Sequence, residues 1–200
     1  LACLGAGVME PRAVELGNKY EVEIYVGKSL GEKNGTIITS KEKVMEKQLI
    51  TGISINENTL MVNIEKIPTY AKNVYAIFEE AEKHGVNIDM ISQNDVSSEE
   101  GSFAFTCPKT DKESLEKMDM ILEEQFPEIS FIINPYVSKV SIVGVGLVSS
   151  IGVAARAFKV LAENNISFHQ VSTSEISISM IIDEVMAKEV ARLLAKEFNI

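Results

Sequence analysis

Hydrophobic and polar positions alternate along this chain with two periods, near two and near 3.6, and the order in which those periods appear is itself repeated. The pattern is clearest toward the C-terminus. An apolar run over 140–145 reads as a buried strand, and Gly144 and Gly146 allow a tight turn after it. Gly152 then opens a helix with Ala154, Ala157, Phe158 and Leu161 on one face, and Asn164 and Asn165 close it. A strand follows from Ile166. Ile176, Ile178, Met180 and Ile182 next alternate with Ser177 and Ser179, as in a half-buried strand. A last helix over 184–198 buries Met186, Val190, Leu193, Leu194 and Phe198. Strand, helix, strand, strand, helix is one strand short of a ferredoxin-like βαββαβ unit.

The same order occurs earlier, and there it is complete. The pattern predicts a strand over 49–55, a turn at Asn56-Glu57-Asn58 and a returning strand over 59–67. A helix over 71–84 follows, with Val74, Ile77, Phe78 and Ala81 inward and Gly85 as its stop. Strands over 86–94 and 102–107 flank a polar hairpin loop at 96–101. Thr110 and Glu113 form a capping box for a helix to about 125, and a strand over 129–134 ends the unit. Phe78 and Phe158, Val86 and Ile166, Ala81 and Leu161, and Ser92 and Ser172 correspond at one offset of 80 residues. The second unit lacks a strand, and the segment over 49–55 is unclaimed. An unpaired edge is costly, so that segment is expected to complete the second unit, with the first inserted inside it.

The expected fold is therefore α+β. It consists of two ferredoxin-like units side by side, over 57–135 and over 48–56 plus 136–200, after a short α/β remnant over 1–40. That remnant reads as a helix from Pro11, a strand over 20–26, a turn over 31–35 and a strand over 36–39. The charged stretch 40–47 is a linker. Because the chain opens on Leu1 in what reads as the middle of a helix, a piece of a longer protein is expected.

Composition removes several functions. A formal charge of −10 argues against nucleic acid and anionic membrane surfaces, which need a basic footprint. No apolar run is long enough to span a bilayer. Cys3 and Cys107 fit no metal spacing and suit a reducing cytosol. Gly144-Val145-Gly146 imitates a dinucleotide fingerprint, but Ser149 stands at its third glycine position. A turn of small residues, or helix-terminal amides ready for a carboxylate, are the other readings, and Pro68 to Asn73 is the analogous loop in the first unit. Asp89 and Glu175 are placed to hold an ammonium opposite such amides, although hydroxyl-rich strand ends more often cap turns. His84 is expected to bond carbonyls at its helix end. His169 is either a ligand contact or an exposed strand residue, and Cys107 a buried or edge thiol. No catalytic constellation and no metal ligand set is found.

Three segments, KVSIVGVG, GVAARAF and VSTSEISISMIID, together resemble the C-terminal regulatory region of aspartate kinases, which carries two ACT domains. GISINEN, VNIDMISQN and GAGVMEPRAVEL extend the resemblance over nearly the whole chain, the last being similar to the closing helix of the kinase domain. The resemblance implies a cytosolic enzyme that phosphorylates the β-carboxylate of aspartate with ATP and magnesium. Its catalytic motifs would lie outside this chain, leaving these residues inactive alone and without a cofactor of their own. It also implies feedback by lysine, threonine or both, and homodimers or larger assemblies built through ACT domains. Effector contacts carried over by position are Ile67, Tyr70, Asn73, Val74, Asn87, Ile88, Asp89 and Gln93 in the first unit. In the second they are Leu147, Ser150, Val153, Ala154, Ser167, Phe168, His169, Ser174 and Glu175. Lys72 replaces a glycine common in relatives, and Gly7-Val8 stands where many carry an ATP-contacting lysine. The alternative is an assembly subunit whose ACT units bind no small molecule.

Overall fold

A computed structural model describes residues 8–30, 34–39, 50–68, 70–95, 100–144, 147 and 151–200. The expected linker, the loop residues Val145, Gly146, Ser149 and Ser150, Cys3 and Gly7 lie outside the described residues, as do parts of the turns at 31–35 and 96–101. Helix α1 (Pro11–Lys19) starts with proline at its first position, as a residue without a free N–H favours. It is followed by a two-stranded antiparallel sheet of β1 (Ile24–Val26) and β2 (Thr36–Ile38). The strand expected over 20–26 is thus shorter, because Tyr20 ends α1 and Glu21 takes a positive φ of 57°.

Everything else is built on one six-stranded sheet. Its strands are β3 (Gly52–Pro68), β4 (Ile91–Asp95), β5 (Glu100–Cys107), β6 (Ser130–Val143), β7 (Gln170–Thr173) and β8 (Ser177–Asp183). They lie in the order β4-β5-β3-β6-β8-β7, with antiparallel neighbours throughout. Helices α2 (Ala71–Lys83) and α3 (Lys112–Gln125) belong to the first unit, α4 (Val153–Glu163) and α5 (Ala187–Phe198) to the second.

The turn expected at Asn56-Glu57-Asn58 does not form, and β3 runs straight through it. None of the three residues adopts the positive φ that a tight hairpin demands. Asn58 N instead donates to Asn56 Oδ1 at 3.0 Å, and the ladder to β6 slips between Asn56 and Thr59, a bulge rather than a reversal. Strand β6 is continuous too, passing Pro135 at the matching irregularity, where a missing N–H costs no ladder bond. Each long strand therefore serves both units. Before the bulge, Ile53 and Ile55 pair with Ile142 and Val140 of the C-terminal half. After it, Leu60 to Ile64 pair with β5.

Two main cores follow from this division. Leu60, Val62 and Ile64 of β3 pack with Phe105, Ile77, Leu115 and Leu122 under α2 and α3. Val140 and Ile142 pack with Met180, Leu161, Val190 and Leu194 under α4 and α5. Each fully buried Leu or Ile stabilises the fold by roughly 1.5–3 kcal/mol. A smaller cluster of Met61, Val137, Met90 and Ile181 ties the two halves at their junction. The capping box at Thr110 is absent. A 3₁₀ turn (Lys109–Asp111) precedes α3, Thr110 Oγ1 donates to Asp111 Oδ1, and Asp111 Oδ2 accepts from Asn87 N at 3.0 Å. Asp111 is thereby committed to holding the loop after α2. The strands expected from residues 86 and 166 begin only at Ile91 and Gln170.

Candidate functional site

Each unit has a segment that enters its first helix and a segment that leads into its edge strand, and the expected contacts lie on or near these, except Gln93 on β4 and Ser174 and Glu175 in the β7–β8 hairpin. In the first unit, Tyr70 caps α2 with an exposed ring, over which Lys72 Nζ lies 5.8 Å from the centroid. Asn73 is buried, and its Nδ2 donates to Pro68 O at 2.9 Å, which closes the loop on itself. Ile67 and Val74 are core residues, and Gln93 is exposed on β4. Asn87, Ile88 and Asp89 lead into β4, anchored where Asp89 N donates to Thr106 O.

In the second unit, Gly152 begins α4 at φ 97°, a left-handed conformation that an L side chain resists. Val153 is buried, while Ala154 and Leu147 are half-buried against the core. Ser150 lies outside the described residues. Ser167, Phe168 and His169 are exposed before β7, with the Phe168 ring 5.4 Å from that of Phe158. His169 Nε2 lies 2.6 Å from Asp183 Oδ1. Ser174 Oγ accepts from Ser177 N at 3.1 Å and from Ile176 N at 3.3 Å, so it caps the β7–β8 hairpin in which Glu175 is exposed. His84 Nδ1 is 3.0 Å from Glu80 O, the expected contact with its own helix end.

Asp89 does not stand free. Its Oδ2 pairs with Nζ of Lys139, a residue of β6 that is 3% exposed. A buried ammonium is costly unless it is paired, so this carboxylate is what allows Lys139 to sit inside the fold. The pair lines a cavity of about 230 Å³ where β3 bulges. Asn56 and Asn58 from the bulge and Asn87 and Ile88 from the loop before β4 form its walls, with Cys107 closing one side. Burial, helped by the charge of Asp111, pushes the Cys107 thiol up to about 12, so it stays protonated and acts as an apolar wall.

Sequence reasoning missed Lys139, Asn56 and Asn58 as site residues. The signal was present in KVSIV, where a lysine shares a strand face with Ser141 while Val140 and Ile142 point to the core. A cation on a strand that is buried on both faces requires a counter-charge nearby. Among the described residues no group of three or more His, Cys, Asp or Glu side chains is arranged to hold a metal ion, and no helix is long and apolar enough to cross a membrane.

Comparison with known proteins converges on one family. Residues 140–198 match the ACT domain. An aspartokinase from Geobacillus stearothermophilus is 36% identical over 184 residues, covering 92% of this chain and 44% of that protein. The chain thus spans about half the length of such relatives. A chain in a crystal structure of aspartokinase alpha and beta subunits is 35% identical, superposes with a TM-score of 0.68, and covers 76% of this chain and 99% of its own. The ligand-free regulatory subunit of aspartate kinase from Thermus thermophilus is 30% identical with a TM-score of 0.69, at the same coverage of each chain. With two ACT-like units on one sheet and relatives of this identity matched over almost their full length, the chain belongs to the C-terminal ACT regulatory regions of the aspartate kinases.

Proposed function

We propose that this chain is the amino-acid sensor of an aspartate kinase, and that it relays end-product binding to a catalytic domain. That domain would transfer phosphate from ATP, with magnesium, to the β-carboxylate of aspartate in the cytosol. No step of that transfer is placed on the residues described above. The effector is lysine, threonine or both, held where the helix-entry loops and the segments before β4 and β7 meet their counterparts across two ACT units, in a homodimer or larger assembly.

The observation that carries this reading is the paired placement of Asp89 and His169. Each is a polar side chain at the same point of its unit, held there by an equivalent backbone bond, Asp89 N to Thr106 O and His169 N to Ile181 O. A sensor needs only a differential affinity of about 1–3 kcal/mol between two arrangements to change activity severalfold or more. Calorimetric titration of the chain with L-lysine and with L-threonine tests the reading. Saturable heat with at least one is expected. No heat with either, and no thermal shift with any of the twenty amino acids, would leave the chain an assembly module instead.

A further inference from the structure

We propose that the junction where β3 and β6 pass from one unit to the other is a hinge, and that the ion pair between Lys109 and Glu184 is the latch that keeps it closed. The hinge goes beyond the sensor reading and stands whether or not the chain binds an amino acid.

Little joins the units. The two main cores share no residue, and the cluster that ties them has four buried members, Met61, Met90, Val137 and Ile181, among the described residues. Strands β3 and β6 both cross between the units, and their pairing is irregular where they cross. The register slips between Asn56 and Thr59 and again between Thr59 and Met61, at the level of Pro135. A hinge absorbs its motion at a few such residues, where the ladder is already interrupted. The cavity of about 230 Å³ beside the bulge gives Asn56, Asn58 and Thr59 room to move without displacing either core.

Two 3₁₀ turns meet over this junction, Lys109–Asp111 before α3 and Glu184–Met186 before α5. Lys109 and Glu184 open them at an offset of 75 residues, the one that also carries Leu115 to Val190, so each is the other's counterpart in the repeat. A charged residue that touches its own counterpart is repelled if the two copies are identical. Here the copies differ in sign, and Lys109 Nζ lies 3.0 Å from Glu184 Oε2. The bulge is tied to each unit separately. Asn58 Oδ1 accepts from Lys109 N at 3.0 Å, and Glu57 Oε1 lies 3.3 Å from Lys188 Nζ on α5. A solvent-exposed pair shifts an equilibrium by no more than about fivefold. That is too little to hold a fold together and enough to choose between two arrangements of it. The Lys139–Asp89 pair serves as the pivot, because parting it would strand a buried ammonium. Opening therefore separates the two turns, and with them α3 and α5.

The test places spin labels at Lys117→Cys and Arg192→Cys, exposed counterparts on α3 and α5. Cys3→Ser removes one native thiol, and the buried, protonated Cys107 stays unlabelled. Diluting labelled into unlabelled chain confines the reading to distances within one chain. Pulsed electron resonance at low salt should show one dominant distance. A longer second distance should grow severalfold in Lys109→Glu, and also in about 1 M salt, which screens exposed pairs. Exchanging both charges, Lys109→Glu with Glu184→Lys, should restore the first distribution, a rescue that a merely packed contact would not give. Thermal melts establish that each variant folds. An unchanged distribution in a folded Lys109→Glu, or in high salt where that variant fails to fold, overturns the hinge. A second population that persists after the double exchange overturns this pair as its latch.

Discussion

Val86 N donates to Ala81 O at 2.9 Å in the first unit, and eighty residues later Ile166 N donates to Leu161 O at the same distance. Gly85 leaves α2 at φ 68°, and Asn165 leaves α4 at φ 53°. The two units therefore agree down to the residue that turns each helix back toward the sheet. They part where the polar side chains find partners. Asp89 reaches across to Lys139 on the far half of β6, whereas His169, at the same point of the second unit, stays with Asp183 on its own β8. Local rules reproduce the backbone frame twice. Contacts over the junction make one copy part of a shared site and leave the other self-contained.

Breaking each acidic partner should expose that difference most strongly. Asp89→Ala leaves a buried ammonium without a counter-charge and should cost about 3 kcal/mol, at the low end for breaking a buried pair because the cavity admits water. Lys139→Met leaves only a half-exposed carboxylate, so its cost should stay below about 1.5 kcal/mol. Asp183→Ala, in an exposed pair, should cost no more than about 1 kcal/mol. Urea denaturation midpoints at unchanged m-value measure all three. Equal losses for Asp89→Ala and Asp183→Ala would remove the distinction between the units.

The same contrast explains what could be read in advance. Alternation of Ile53, Ile55, Val140 and Ile142 is a local signal, and the missing strand of the second unit could be counted, so the pairing of β3 with the C-terminal half was accessible from residues alone. Asn-Glu-Asn was not decisive, because residues that tolerate a turn tolerate a bulge equally, and only the partner strand chooses between them. The Lys139–Asp89 pair was hidden for a related reason. Its members are 50 positions apart and belong to different halves of the repeat, so no spacing rule joins them. Thr110 and Glu113 had the spacing of a capping box, yet Asp111 was claimed by Asn87 N from another loop. Strands could be counted along the chain, so a missing one was legible; the choice between turn and bulge, the start of α3 and the Lys139–Asp89 pair depended on partners elsewhere in the fold and were not.

A smaller effect should separate the two helix exits. A Cβ added at Gly85 would meet nothing within 4 Å, so any cost of Gly85→Ala is purely the left-handed backbone. That cost is about 1 kcal/mol. Asn165 already accepts the same geometry with a side chain, and Asn165→Gly should relieve it by a few tenths of a kcal/mol. Thermal melts of the two single variants should therefore move in opposite directions. Movement in the same direction would mean that the exits are held by packing rather than by backbone preference.

The smallest expected difference lies in the second helix of each unit. Val190 and Leu194 of α5 occupy the positions that Leu115 and Asp119 hold in α3, and of these Asp119 alone is not apolar. Asp119 Oδ1 is buried without a partner among the described residues, and burial, with a lesser contribution from the charge of Glu123, raises its pKa above the usual carboxylate value. The folded chain then keeps this proton at a pH where the unfolded chain has released it. Stability from this group is accordingly lost as pH rises from the unfolded value near 3.9 through the raised folded one. Above that window Asp119→Asn should be more stable than the wild type by up to about 0.5 kcal/mol, and the advantage should shrink as pH falls toward the acid end of the window. Urea midpoints at neutral pH and in mild acid measure the difference. A gap that widened on acidification would mean that the Asp119 carboxylate is stabilised in the fold rather than penalised.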